Sequence, residues 1–150
     1  QVAVGRAQIH QRHPDYPDAL QISLTIDGMS ALTVALDDTL RPDAKQALLD
    51  LHMTGVQTVL ISGDRDSRVQ IVAETVGISQ AEGDLTPEDK LARLAEVSGP
   101  RVMVGDGLND SPVLAAAEGS ITFTHAADLT RYQAGAVLLS PHLDKLNQLR

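Results

Sequence analysis

From Arg41 to the end of the chain, apolar runs of strand length alternate with stretches of helical periodicity, and nothing else constrains the fold as much. Pro42 stands where a first helical position would be, and Ala44, Ala47, Leu48 and Leu51 follow at helical spacing until Gly55. Val56 to Ile61 reads as a strand ending in Ser62-Gly63-Asp64. The next helix places Val69, Val72, Ala73 and Val76 on its buried face and stops at Gly77, and a short strand follows over 81–84. Thr86-Pro87-Glu88-Asp89 joins a hydroxyl cap, a proline at the first position and acids in the first turn. A helix therefore starts there, with Leu91, Leu94 and Ala95 expected on its buried face. Further on, the pattern predicts strands over 101–104, 120–123 and 136–139, with helices over 109–117 and 126–132. A short amphipathic helix over 142–150 carries Leu143, Leu146 and Leu149. The whole predicts an α/β fold in which a parallel sheet is covered by helices on both faces.

A short antiparallel β segment precedes it. Val2 to Gly5 is strand-like, and Gln21 to Ile26 alternates polar with apolar before a turn at Asp27-Gly28. Met29 to Leu36 returns, so 21–36 is a hairpin. His10 and His13 are spaced as metal ligands can be, but Pro14 adjoins them, no third ligand is near, and the segment reads as a solvated loop.

Composition narrows the partners. A net charge of −8 makes nucleic-acid backbones and anionic membrane surfaces poor targets. With no cysteine, disulfides and thiolate metal sites are excluded, and one Phe, two Tyr and no Trp leave an aliphatic core. No apolar run reaches the length of a membrane span, and the start shows no signal-peptide pattern. A chain opening on Gln rather than Met fits a piece cut from a longer polypeptide, and a processed terminus would look the same.

In parallel sheets ligands sit beyond the carboxyl ends of the strands. Ser62-Gly63-Asp64 and Gly105-Asp106-Gly107-Leu108-Asn109-Asp110 both fall on that edge, and Lys90, in the first turn of its helix, is the cation that would join them. This set suits a phosphoryl group. Ser62 offers a hydroxyl, the backbone NH groups of Gly63 and Asp64 offer an anion nest, and Lys90 offers a positive point charge. Asp106, directly at the strand end, is placed to bind magnesium, which takes hard oxygen ligands. Asp110 comes four residues later and is placed to hold Lys90 or a water, and Asn109 to donate to a phosphate oxygen. Each part alone has a plainer reading, an ordinary loop or a solvated lysine. What is missing is an acceptor, since anchors and a metal do not transfer a phosphoryl group without a nucleophile or a positioned water.

The string at 105–112, with Ser62-Gly63-Asp64, Pro87-Glu88-Asp89-Lys90 and Asp38-Thr39-Leu40-Arg41-Pro42, resembles the phosphorylation domain of P-type ATPases, members of the haloacid-dehalogenase-like superfamily. The surroundings are similar to the heavy-metal-transporting subgroup, with copper pumps nearest, including those serving cytochrome oxidase assembly. The resemblance implies a Rossmann-like fold, Asp106 on magnesium, Asn109 and Asp110 ordering phosphate and lysine, Lys90 on an aspartyl phosphate and Ser62 hydrogen-bonded to it. It implies that 1–36 are the last strands of a nucleotide-binding domain, 37–140 the carboxyl-terminal part of the phosphorylation domain, and 141–150 a helix leading toward a membrane span. ATP, a transported heavy-metal ion and the cytoplasmic side of a membrane would belong to the parent protein.

The sequence departs from that pattern in places. The phosphorylated aspartate of the family lies in Asp-Lys-Thr-Gly-Thr, which this sequence does not contain, and Thr39 stands where a proline is usual. The piece would then be inactive alone and would lack the central strand of its sheet, leaving edges open to dimerisation or strand exchange. A second reading is a free-standing phosphatase whose catalytic loop runs through Asp37, Thr39 and Leu40, which puts Ala35 at the nucleophile position. A third is a degenerate domain that binds magnesium and phosphate, or a partner, without chemistry.

Overall fold

Backbone placement in the computed structural model describes residues 1–8, 15, 19–36, 39–105, 108–124, 126 and 128–148, and divides them between two compact units, Gln1–Leu40 and Arg41–Arg150. His10 and His13 lie outside the described residues.

In the first unit, β1 (Val2–Arg6), β2 (Leu20–Ile26) and β3 (Met29–Leu36) form an antiparallel sheet in that order. The β2–β3 turn has φ of 50° at Asp27 and 83° at Gly28, the pair of positive values that a right-twisted two-residue hairpin favours. Register puts Val2 beside Ile26, Val4 beside Leu24, and Leu24 beside Leu32, so one face is aliphatic. That face is the open one: Val4 is 70% exposed and Leu32 55%, while Gln21 on the opposite face is 1% exposed.

The second unit alternates as expected. α1 (Ala44–Met53), β4 (Val59–Ile61), α2 (Asp66–Val76), β5 (Gln80–Glu82) and α3 (Pro87–Glu96) come first. β6 (Val102–Val104), α4 (Ser111–Ala116), β7 (Gly119–Phe123), α5 (Asp128–Gln133) and β8 (Ala136–Leu138) follow. β4 pairs with β5, and β7 lies between β6 and β8, all parallel. The sequence reading treated these strands as one sheet. Among the described residues they form two, because β4 and β6 make no ladder with each other.

Several boundaries shift for local reasons. Pro42 precedes α1 in a turn closed by Ala44 N donating to Arg41 O, so the helix starts at Ala44. β4 begins late because the Val56 NH is still bonded to Leu51 O at the exit from α1. On α3 the buried residues are Lys90 and Leu94, and Ala95 is exposed. The segment Leu143–Gln148 is a 3-10 helix rather than an α-helix. No described helix is long and apolar enough to cross a membrane.

The core is aliphatic around one ring. Ile121, Phe123 and Leu138 are buried, with Val104, Ala136, Leu143 and Leu146 packed on them. The Arg41 guanidinium lies 4.2 Å from the Phe123 ring centroid and donates to Pro141 O. Asp43 accepts from Asp144 N at 3.1 Å, and Asn147 donates to Ala47 O at 3.3 Å, which ties the last described segment to α1.

Candidate phosphate site

Loops leaving the carboxyl ends of β4, β5 and β6 carry the candidate residues, the edge where such sheets bind ligands. After β5 a reciprocal cap opens α3. Thr86 Oγ1 accepts from Asp89 N at 3.2 Å, and an Asp89 oxygen accepts from Thr86 N at 3.0 Å. The Thr86 hydroxyl, donating to Asp89 Oδ2 at 2.6 Å, and then the Thr86 NH hold the Asp89 carboxyl below its ordinary range.

Lys90 follows in the first turn, where the helix dipole disfavours a cation, and it is buried, 8% exposed. Asp110 compensates. Lys90 Nζ donates to Asp110 Oδ1 at 2.7 Å, with only 11% and 17% of the two side chains exposed. Asp110 closes the 3-10 turn Leu108–Asp110 and stands at the N-cap position of α4, which packs against α3. Its carboxylate folds back over the end of β6: a Cβ on Gly105 would stand 3.1 Å from Asp110 Oδ2. Gly105 thus makes room for the carboxylate, a role that shows only in the fold.

Ser62 and Gly63 leave β4 with the chain bonded to the neighbouring loop: Leu85 N donates to Ser62 O at 3.0 Å. Ser62 Oγ accepts from the Asp64 NH at 3.1 Å and keeps its own proton to donate. The nest is therefore smaller than expected. The Asp64 NH is committed, and Gly63 is not at a helix start, since Arg65 is extended (φ −55°, ψ 136°) and α2 begins at Asp66. Asp64 itself pairs with Arg68 at 3.5 Å and accepts from Arg65 N at 2.8 Å, which makes it a loop organiser.

Asn109 is exposed beside Asp110. Asp106 and Gly107, where the metal assignment falls, lie outside the described residues, as do Asp37 and Asp38. Ala35 pairs with Gln21 in the antiparallel ladder of the first unit, on a strand that belongs to no parallel sheet among the described residues. A cleft of about 560 Å³ bounded by Val59 and Ile61 of β4, Glu82 of β5 and Arg93 of α3 includes none of the candidate residues.

Comparison with known proteins places this geometry. A family model described as haloacid dehalogenase-like hydrolase matches residues 2–118. The nitrogen fixation protein FixI of Rhizobium leguminosarum bv. viciae is 38% identical over 83% of this chain and 17% of its own length. The zinc-transporting ATPase of Bacillus subtilis is 34% identical over 86% of this chain and 22% of its own. Other relatives are described as copper-transporting and manganese-exporting P-type ATPases. The crystal structure of a zinc-transporting PIB-type ATPase in its E2.Pi state superposes with a TM-score of 0.76 at 28% identity, covering 98% of this chain and 26% of that one. The chain thus spans about a fifth of the length of these relatives.

Proposed function

The chain belongs to the haloacid dehalogenase-like hydrolase family and is homologous to the catalytic domains of heavy-metal P-type ATPases, and on that premise we propose that it is the carboxyl-terminal part of the cytosolic headpiece of an ATP-driven heavy-metal pump. The buried Lys90–Asp110 pair, which joins α3 after β5 to the turn after β6, carries this reading. A desolvated ammonium fixed by a carboxylate is an arrangement for receiving a second anion, and it is costly as structure alone.

Within that site, Ser62 and the Gly63 NH donate to phosphate oxygens, Lys90 sets a positive charge beside them, and Asp110 holds the ammonium in place. Asn109 donates from the loop after β6. The donors fit a hard cation: carboxylates, an amide and a hydroxyl, with no cysteine in the sequence. Asp106, the carboxylate that follows Gly105 in the sequence, would be the residue that binds magnesium. Bound there, magnesium would offset the charge on the transferring group.

ATP is the proposed phosphoryl donor, and the acceptor is an aspartate outside this sequence. Support comes from β4 and β6, each of which pairs with a strand on one side only among the described residues, so that a further parallel strand could join the two sheets. The same edges are where two copies would exchange strands. Residues 1–36 are read as the last strands of a nucleotide-binding domain, a role that suits a sheet whose aliphatic face is open. Residues 37–140 are read as phosphorylation domain and 141–150 as the lead toward a span. The names of the relatives divide among zinc, copper and manganese, so the cargo is proposed as a heavy-metal cation, copper among them.

Magnesium titration of the chain against its Asp106→Ala variant tests the assignment. Binding that weakens about tenfold or more in the variant is expected from the loss of one carboxylate ligand. Equal affinity in the two removes Asp106 from the site.

A further inference from the structure

The loop that carries Ser62 is stitched to the loop that leads into α3, and most of the stitching passes through residues 66, 83 and 84, none of which has a role so far. Gly83 N donates to Asp66 Oδ1 at 2.8 Å, and Asp66 N donates to Asp84 Oδ2 at 3.1 Å. Asp84 N donates to Asp64 O at 2.6 Å, and Ser62 N to Glu82 O at 3.0 Å. Gln70 Nε2 bridges Asp66 Oδ1 and Ala81 O at 3.1 and 3.0 Å.

The fit leaves no slack. A Cβ on Gly83 would lie 2.4 Å from Asp66 Cα, 2.6 Å from Asp66 N and 2.8 Å from Asp64 O, all backbone atoms that cannot turn aside. Asp84 is held at φ 56°, a strained value for a residue with a side chain. That strain puts its carboxylate on the Asp66 NH. Asp66 is thus the hub. It receives one loop through its side chain and answers the same loop through its backbone.

We infer that Asp66 and Asp84 are positioning residues, which fix the Ser62-Gly63 backbone against the start of α3 and so set the phosphate anchors at a constant reach from Lys90. The inference rests on the phosphate reading of Ser62 and Lys90 given above. It concerns neither a contact with phosphate nor a metal. Three carboxylates beside an anion site oppose anion binding through space, so geometry must outweigh their charge.

The experiment is a titration of the 150-residue chain with inorganic phosphate in the presence of magnesium, followed by amide chemical shifts. Asp66→Ala is expected to raise the phosphate dissociation constant about tenfold, an effect of displaced anchors. Asp66→Asn, which keeps an oxygen for the Gly83 NH, should recover most of that loss. Asp84→Gly relieves the positive φ and removes only the acceptor, so it should fold as the wild type does while binding phosphate severalfold more weakly. It decides the matter if Asp66→Ala does not fold. Wild-type affinity in Asp84→Gly, or equal losses in Asp66→Asn and Asp66→Ala, overturns the inference. A wild-type chain that shows no phosphate-dependent shift at Gly63 overturns the phosphate reading instead, before any variant is compared, and takes the inference with it.

Discussion

Two buried polar side chains in the second unit carry opposite meanings. Lys90 is 8% exposed and ion-paired with Asp110, which is how a buried charge persists. Thr122, in β7, is 0% exposed, and among the described residues its hydroxyl has no hydrogen-bond partner. A hydroxyl left alone in a core costs free energy, so Thr122→Val, equal in shape, is expected to stabilise the fold by about 1 kcal/mol. Chemical denaturation checks this, and a lower midpoint for the variant would show that the hydroxyl is serving something. Sequence reading singled out Lys90 from its place in a first turn, yet the same reading could not separate it from a solvated lysine. The decisive fact was the second residue of the pair, twenty positions away along the chain, turned back over Gly105.

Among the elements, α3 was the most legible, because capping chemistry is local: the Thr86 hydroxyl and Asp89 carboxylate act within four residues. Its buried face was misread at Ala95, since burial depends on what lies opposite: α3 packs against α4, and its buried residues are Lys90 and Leu94. The entry to β6 is held by charge. Arg101 Nε donates to Glu118 Oε2 at 2.9 Å and its backbone NH to the same oxygen at 3.1 Å, while Nη1 reaches Leu94 O at 3.0 Å. The Arg101 guanidinium hydrogen bond above all, with backbone NH donors beside it, lowers the Glu118 carboxyl from its ordinary 4.5 to about 2. A depressed carboxyl adds stability that is full above its unfolded value and is lost as pH falls through the folded one. This contribution therefore disappears between about 4.5 and about 2. In acid titrations followed by circular dichroism, Glu118→Gln should flatten that part of the stability profile. A profile as steep as the wild type's would assign the acid transition to other carboxylates.

At the scale of the molecule, the alternation from Arg41 onward predicted strand-and-helix order well, since each period is written in consecutive residues. How the strands assemble was not written that way. Parallel ladders join residues far apart, and the split between β4-β5 and β6-β7-β8 follows from a pairing partner, not from any local pattern. The aliphatic face of the first unit was legible as alternation in Ile22, Leu24 and Ile26, but alternation gives no sign of which face stays open. Asp106 was legible as a carboxylate at a strand end, and its side chain is not among those described. What ties these levels together is the claim that the carboxyl edge of the second unit binds phosphate through Lys90 and Ser62. Phosphorus-31 line broadening of inorganic phosphate, with magnesium present, tests it in the wild type and in Lys90→Ala. The account predicts broadening by the wild-type chain, and its loss in the variant at unchanged helical signal. Equal broadening by both, or none by the wild type, would contradict it.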